Sequence, residues 1–117
     1  MPSLLKIAVV VVNWNAGNYL KKCLHCLEAQ TLKPTRVLVV DNASTDGSAE
    51  GLVEEFEEFE IIKLKENTGF AFANNLAVKM AENCDWIAFL NPDAFAAPDW
   101  LEKMAKVAEK LPEYTSF

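Results

Sequence analysis

Basic residues are scarce in this chain of 117 residues, which has 11 Lys and Arg against 17 Asp and Glu and a formal net charge of −6. Binding along a nucleic-acid backbone needs clustered Lys and Arg, so no nucleic-acid partner is predicted. Long apolar runs are missing as well, because none approaches the ~20 residues of a membrane-spanning helix. The longest, residues 7–12, is followed by Asn13 without a small-residue cleavage site, so a secretory signal is not expected.

Glycine occurs only four times, and neither G-x-G-x-x-G nor G-x-x-x-x-G-K-[ST] is present, which argues against NAD-type and P-loop chemistry. The three cysteines are an odd number, which favours a reduced, cytoplasmic protein over a disulfide scaffold. Cys23 and Cys26 form a C-x-x-C pair, but Cys23 falls on the apolar stripe of a predicted helix. A buried structural cysteine is therefore predicted rather than a zinc or redox site.

Short β-branched runs alternate with helical periodicity along the chain. Strands are predicted over residues 7–12, 36–40, 61–64 and 86–90, and the first two helices over residues 18–30 and 49–59. The alternation β-α-β-α-β-α-β-α predicts an α/β fold in which an open, mostly parallel sheet carries helices on both faces. Residues 1–117 are expected to form a single domain.

The helices are predicted from their apolar stripes and end signals. Asp46 or Ser48 is the expected N-cap of the second helix, and Pro98 the expected first-turn residue of the last. The predicted core positions are Tyr19, Leu20, Cys23, Leu24 and Leu27 in the first helix, Phe70, Ala73, Leu76, Ala77 and Met80 in the third, and Leu101, Met104, Val107, Ala108 and Leu111 in the last.

Asn and Asp follow all four predicted strands, in residues 13–15, 41–46, 65–69 and 91–93. Ligands of open α/β sheets bind outside the carboxyl ends of the strands, so these segments predict one polar site for a ribose, a sugar or a metal. Residues 42–47 imitate the start of an EF-hand loop, but Val53 occupies the twelfth position and strands flank the segment, which excludes that interpretation. A phosphoacceptor receiver domain is a minor alternative, since its acidic cluster after the first strand is replaced by Asn13-Trp14-Asn15.

Four segments in order, VVVVNWN (9–15), VVDNASTDGS (39–48), ENTGFAFANN (66–75) and FLNPDA (89–94), resemble the nucleotide-sugar-binding half of inverting family 2 glycosyltransferases with the type A fold. The similarity is greatest to the rhamnosyltransferase-like branch and covers residues 6–111. It implies a glycosyltransferase that moves a sugar from a nucleoside-diphosphate sugar to an acceptor hydroxyl in cell-wall or polysaccharide biosynthesis. This chain would supply the donor and metal site.

The resemblance also assigns residues to that donor site. Asp41 matches an acidic residue that accepts hydrogen bonds from the base or ribose, and Asn13 and Asn15 match the loop that lines the nucleoside. Asn74 stands where many relatives have Arg, and Asn91 replaces the first Asp of the D-x-D element. Asp93, the sixth residue that the resemblance assigns to the donor site, is the expected ligand of Mg²⁺ or Mn²⁺ bridging the two phosphates.

Inverting transfer needs a general base, which the family carries beyond the D-x-D strand together with the acceptor site. The resemblance therefore implies no catalytic residue in this chain, no activity alone, and a glycan or lipid-linked acceptor bound through the missing half. The alternative is a stand-alone nucleotide-sugar-binding or assembly module without catalysis. Attachment of the cytoplasmic protein to a membrane surface is left open. If that second half is missing, residues 86–90 are left near an open sheet edge, and a homodimer that covers this edge is then predicted.

Overall fold

The computed structural model describes residues 5–110 of the chain. Its four strands are β1 (Ile7–Asn13), β2 (Arg36–Asp41), β3 (Glu60–Lys63) and β4 (Trp86–Phe89). Its four helices are α1 (Tyr19–Glu28), α2 (Leu52–Glu55), α3 (Phe70–Met80) and α4 (Trp100–Ala108). Strands and helices alternate without exception over the described residues, as the sequence predicts.

The strands form one parallel sheet in the order β3-β2-β1-β4. β1 lies between β2 and β4, and all seven of its residues are buried. Burial on both faces explains why its first six residues form an unbroken apolar run in the sequence. In the register of the sheet Asn13 lies beside Asp41. The chain passes from β3 back across the sheet to β4, so the strand order reverses at β1, and the predicted α/β fold class is confirmed.

The sheet separates two hydrophobic clusters. Val9 and Val11 of β1 face the larger one, which α1, α2 and α4 cover, while Val10 and Val12 face a smaller one under α3. Successive side chains of a strand point to opposite faces, so one apolar run supplies both clusters. The helices therefore lie on both faces of the sheet, as predicted.

The second helix is much shorter than the predicted span of 49–59. It begins after Gly51, whose φ of +74° lies in the left-handed region, and it is only four residues long. Asp46 and Ser48 do not cap it. Instead, an oxygen of Asp46 accepts a hydrogen bond from the Ser48 amide at 2.9 Å, which closes a turn within the loop.

Three predicted core residues are wrong. One is Val107 of α4, whose side chain stays 48% exposed. The Tyr19 and Phe70 side chains stay 54% and 55% exposed, because each opens its helix at the ligand-facing rim of the sheet rather than over it. Pro98 precedes the last helix, whose N-cap is Asp99. The predicted apolar position Leu111 lies outside the described residues. Within residues 5–110, no helix has the length and apolar character needed to span a membrane.

Candidate functional site

The loop that follows β1 is fixed by Asn13. This side chain is fully buried, and its Nδ2 lies 2.8 Å from Asp41 Oδ1, 2.9 Å from Ser48 Oγ and 3.1 Å from Ser44 Oγ. Its Oδ1 accepts a hydrogen bond from the Ala16 amide at 3.3 Å. The side chain of Asn13 thus links the turn after β1 to Asp41 at the end of β2 and to Ser44 and Ser48 in the loop between β2 and α2.

Asp41 completes this buried network from the end of β2. Its Oδ1 accepts a second hydrogen bond from Ser44 Oγ at 2.6 Å, and its Oδ2 accepts one from the Ser44 amide at 3.1 Å. The residue is only 4% exposed. A carboxylate at this depth requires such partners, and it receives them from residues of its own loop and from Asn13.

Asn15 joins the same two loops closer to solvent. It has a φ of +51°, a left-handed conformation that Asn tolerates better than most residues. Its amide donates to Ser44 Oγ at 2.9 Å, and its side-chain Oδ1 accepts from the Thr45 amide at 2.7 Å. The Oδ2 of Asp46 accepts a further hydrogen bond between these loops, from the Gly17 amide at 2.8 Å. Hydrogen bonding to Ser48 lowers the pKa of Asp46, so this carboxylate is held in its charged form.

The third rim loop is tied down by Asn42. Its Oδ1 accepts hydrogen bonds from the Thr68 amide at 2.8 Å and from Thr68 Oγ1 at 3.1 Å. The Gly69 amide donates to Asn67 Oδ1 at 2.9 Å, which shapes the entry into α3. The loops after β2 and β3 are consequently connected side by side.

The fourth rim loop contains Asn91, Pro92 and Asp93. The Ala94 amide donates to the Asn91 carbonyl at 3.0 Å, which makes this segment a turn, and the Cys23 thiol lies 3.6 Å from the same carbonyl. Burial raises the pKa of the Cys23 thiol to about 12, with smaller contributions from Cys26 and Asp93. The Cys23 side chain is fully buried on α1, so its predicted place on the apolar stripe of that helix is confirmed.

These loops enclose a cleft of about 680 Å³ at the carboxyl ends of β1 and β4. Three of the six predicted site residues line it, namely Asn15, Asn91 and Asp93. The remaining lining residues are Val12, Trp14, Ala16, Gly17, Tyr19, Asn42, Asn67, Phe70 and Pro92. Its location at the reversal of strand order is where ligands of open α/β sheets bind.

The other three predicted residues occupy different places. Asn13 lies beneath the cleft in the buried network, and Asp41 lines a smaller neighbouring cleft of about 430 Å³ together with Ser44 and Lys65. Asn74 lies on α3, one turn beyond Phe70. The structure therefore gathers Asn15, Asn91 and Asp93 around the large cleft. Asn13, Asp41 and Asn74 do not line it.

The walls of the large cleft are aromatic, which the sequence did not indicate. Trp14 is 57% exposed, and Tyr19 and Phe70 are exposed to a similar degree. The Tyr19 ring lies 6.1 Å from that of Phe95, between ring centroids. Exposed aromatic side chains beside polar ones are typical of ligand sites. Trp14 lies within the polar segment 13–15 and Phe70 directly follows the segment 65–69, so their position after the strands was the available signal.

Asp93 is the carboxylate of the large cleft, and the amide of Asn91 lies in the same lining. Among residues 5–110 no group of three or more His, Cys, Asp or Glu side chains is arranged to hold a metal ion. A cage made entirely of protein ligands is therefore not formed by these residues. Mg²⁺ commonly binds through one or two carboxylates, with water and substrate phosphates completing its shell, and a single Asp beside an amide fits that mode.

Residues 8–116 match the family profile described as Glycosyl transferase family 2. The chain is 34% identical over 112 residues to Glycosyltransferase GlyA of Streptococcus pneumoniae, covering 93% of this chain and 15% of that protein. It is 28% identical over 116 residues to an N-acetylglucosaminyl-diphospho-decaprenol L-rhamnosyltransferase of Mycobacterium tuberculosis, and the match covers 91% of this chain and 38% of that protein.

The fold is similar to the crystal structure of S. aureus TarS residues 1–349 in complex with UDP, with a TM-score of 0.78 and 27% identity. The match covers 91% of this chain and 32% of that one. A second TarS structure contains UDP-GlcNAc and gives a TM-score of 0.79. The chain thus spans between about one seventh and two fifths of the length of these relatives.

Proposed function

Because the chain belongs to glycosyl transferase family 2, we propose that it binds the nucleoside-diphosphate-sugar donor of an inverting sugar transfer. One observation carries the proposal: Asn15 follows β1 whereas Asn91 and Asp93 follow β4, yet all three line one cleft together with exposed aromatic side chains. A nucleoside diphosphate needs a flat apolar surface for its base and polar groups for its ribose and phosphates. The cleft offers both, and TarS, which has a similar fold, is described in complex with UDP and with UDP-GlcNAc.

We assign the residues by their chemistry. The Trp14 ring offers a stacking surface for the base. The side chain of Asn91 offers a donor and an acceptor to ribose hydroxyls, and that of Asn15 offers its Nδ2 donor, since its Oδ1 already accepts from the Thr45 amide. Asp41, Asn13 and Asn74 remain proposed donor-site residues. Since Asn13 and Asp41 are buried and hydrogen bonded to each other, we propose that they act mainly by holding the loops that shape the cleft.

Asp93 is the residue we propose for holding Mg²⁺ or Mn²⁺. When bound, such an ion would neutralise the charge that develops on the diphosphate leaving group. Asn91 is neutral and contributes at most an amide oxygen, so the ion would depend on the donor's phosphates for much of its coordination. Binding of ion and donor is accordingly expected to be cooperative.

The acceptor hydroxyl must lose a proton during an inverting transfer, and this requires a general base. Within the described residues the acids that follow Asp93 are Asp99, Glu102 and Glu109, on or beside α4. Asp99 is bound to Lys103 at 3.1 Å, and this hydrogen bond lowers its pKa, which makes it a poor base. We propose that the base and the glycan or lipid-linked acceptor site belong to polypeptide that the longer relatives carry in addition. The rhamnosyltransferase-like branch and a role at the membrane surface in cell-wall synthesis are proposals of the same kind, motivated by the name of the M. tuberculosis relative.

Calorimetric titration tests donor binding directly. UDP, UDP-GlcNAc, dTDP sugars and GDP sugars are each titrated into the chain with and without Mn²⁺. We expect weak binding of at least one donor that tightens with Mn²⁺, and absence of heat for all donors at millimolar concentration would refute the proposal.

Two pairs of variants locate the site. Asp93→Asn should remove the effect of Mn²⁺, whereas Asp99→Asn, which removes a carboxylate from outside the cleft, should not. Trp14→Ala should weaken the donor, whereas Phe72→Ala, which removes a similarly exposed ring from α3, should leave affinity unchanged. Equal effects within a pair would place the donor elsewhere. A measurable transfer to any acceptor by this chain alone would contradict the proposed position of the base.

A further inference from the structure

The loop between β4 and α4 contains Asp93, the proposed ligand of the divalent ion, and it is attached to the rest of the protein at both ends. At its start, the Leu90 amide donates to the Val10 carbonyl of β1 at 2.9 Å. At its far end, residues 97–101 are hydrogen bonded to the two residues that follow the C-cap of α1. The position of Asp93 therefore depends on contacts that lie outside the cleft.

The main contact at the far end is made by Gln30. This side chain is only 2% exposed, which is unusual for a glutamine. Its Nε2 donates to the Ala97 carbonyl at 2.7 Å and to the Cys26 carbonyl at 3.1 Å, and its Oε1 accepts from the Leu101 amide at 2.9 Å. Both hydrogens and the oxygen of the amide group are thus used, so a carboxylate or an apolar side chain could not replace it without leaving partners unpaired.

The bond to Leu101 caps α4 from outside that helix. The first amides of a helix have no partner within it, and the side chain of the N-cap residue commonly supplies one. The N-cap of α4, Asp99, makes no such bond, and its carboxylate binds Lys103 at 3.1 Å instead. Gln30 therefore provides the side-chain cap that Asp99 does not, and the start of α4 is fixed to the end of α1.

A backbone hydrogen bond reinforces the same attachment. The Thr31 amide donates to the Pro98 carbonyl at 2.8 Å. The attached part of the loop begins at Ala97, four residues after Asp93. Even a fully extended chain covers that separation in at most about 14 Å, so a displacement of Ala97 is passed on to Asp93 over a short distance.

We propose that Gln30 is a positioning residue for the divalent-ion site. By holding Ala97 and the start of α4, it fixes the loop so that the Asp93 carboxylate stays at the large cleft. This inference rests on the proposed function, in which one carboxylate and the donor's phosphates hold the ion. An ion with so few protein ligands depends strongly on where its carboxylate is held. Gln30 does not line the cleft and acts only through the loop.

Amide hydrogen exchange of the wild-type chain, followed by NMR, tests this attachment without a variant or a ligand. The Leu101 amide should be protected although it belongs to the first turn of α4, because it is bonded to Gln30. The Glu102 amide is the internal control, since residues 5–110 provide no hydrogen-bond partner for it, and it should exchange rapidly. Exchange of the Leu101 amide as rapid as that of Glu102 would overturn the proposal.

Calorimetric titration tests the consequence for the ion. Gln30→Met keeps the approximate size of the side chain and removes all three hydrogen bonds. The variant should lose most of the gain in donor affinity that Mn²⁺ gives the wild type, because support of the Asp93 loop is lost. Donor affinity without Mn²⁺ should change much less, since Trp14 and Asn15 belong to the loop after β1.

Arg36→Lys is the matched control. It disturbs a hydrogen-bonded contact with Glu60 at the amino end of β2, at the opposite end of the sheet from the cleft, and should keep the wild-type gain. A full gain in Gln30→Met, or an equal loss in Arg36→Lys, would overturn the proposal while donor binding by the wild type stands. A wild-type chain that binds no donor would refute the proposed function, and this role of Gln30 with it.

Discussion

Replacing Asn13, the last residue of β1, by Ala should destabilise the protein more than an ordinary change at the end of a strand. The side chain is fully buried, and its Nδ2 faces three oxygens, those of Asp41, Ser48 and Ser44, at 2.8, 2.9 and 3.1 Å. An amide nitrogen carries two hydrogens, so at most two of these contacts are full hydrogen bonds at one time. The two shortest are the ones to Asp41 and Ser48.

The expected magnitude follows from these two bonds. A hydrogen bond to a charged group contributes about 1.5–3 kcal/mol and one between neutral groups about 0.5–1.5 kcal/mol. Asp41 keeps its bonds from Ser44, so its carboxylate is left partly and not wholly without partners. The variant should therefore lose roughly 2–4 kcal/mol of unfolding free energy, a large share of the stability of a typical domain.

Urea unfolding followed by circular dichroism measures the loss. Asn75→Ala is the matched control, because Asn75 is exposed on α3 and Ala is the better helix former, so no loss is expected there. A double-mutant cycle with Asp41→Ala should show coupling between the two side chains. If Asn13→Ala lowers the unfolding free energy by less than about 0.5 kcal/mol, as an ordinary surface change does, the buried network does not hold the rim.

Two further predictions concern charged contacts between elements. His25 has Glu28 2.8 Å from Nδ1 and Glu55 2.6 Å from Nε2, and hydrogen bonding, first to Glu28, raises its pKa above the ordinary 6.5. Its stabilising contribution is then complete below the unfolded pKa and is lost as pH rises through the folded pKa, so the thermal midpoint should fall over that interval. His25→Gln should flatten this dependence, and NMR titration of the only histidine should give the raised pKa; an unchanged pH profile in the variant would contradict the assignment. Arg36 binds both carboxylate oxygens of Glu60 and also the Met80 carbonyl at 2.6 Å, so Arg36→Lys should cost about 1 kcal/mol or more in urea unfolding. Lys103→Gln, which breaks one exposed ion pair with Asp99, should change stability by less than about 0.5 kcal/mol, and equal losses in the two variants would show that the forked contact adds nothing.

The sequence predicts the framework of this fold well because the framework depends on local patterns. β1 is an unbroken apolar run since it is buried on both faces, and the Cys23 stripe of α1 has helical spacing. The prediction of the second helix over residues 49–59 fails because Gly51 has a left-handed conformation and the helix begins only after it. The spacing of apolar residues carries no information about that conformation. Tyr19 and Phe70 fail for another reason: they fit the period of their helices but lie beyond the area that the sheet covers.

For the candidate site, the sequence by itself determined that polar residues follow all four strands, and parallel strands must present those residues at one rim. Only the tertiary structure decided which of these polar residues are buried in the sheet and which line the cleft. The pairing of β1 with β2 places Asn13 beside Asp41 at the buried level of the sheet, where each satisfies the other. Residues a few positions further along their loops, Asn15 and Asp93, reach the cleft, and Trp14 and Phe70 become its aromatic walls. Burial depth depends on which strands are neighbours and how far each loop rises above them, and these are long-range properties that no local pattern of residues contains.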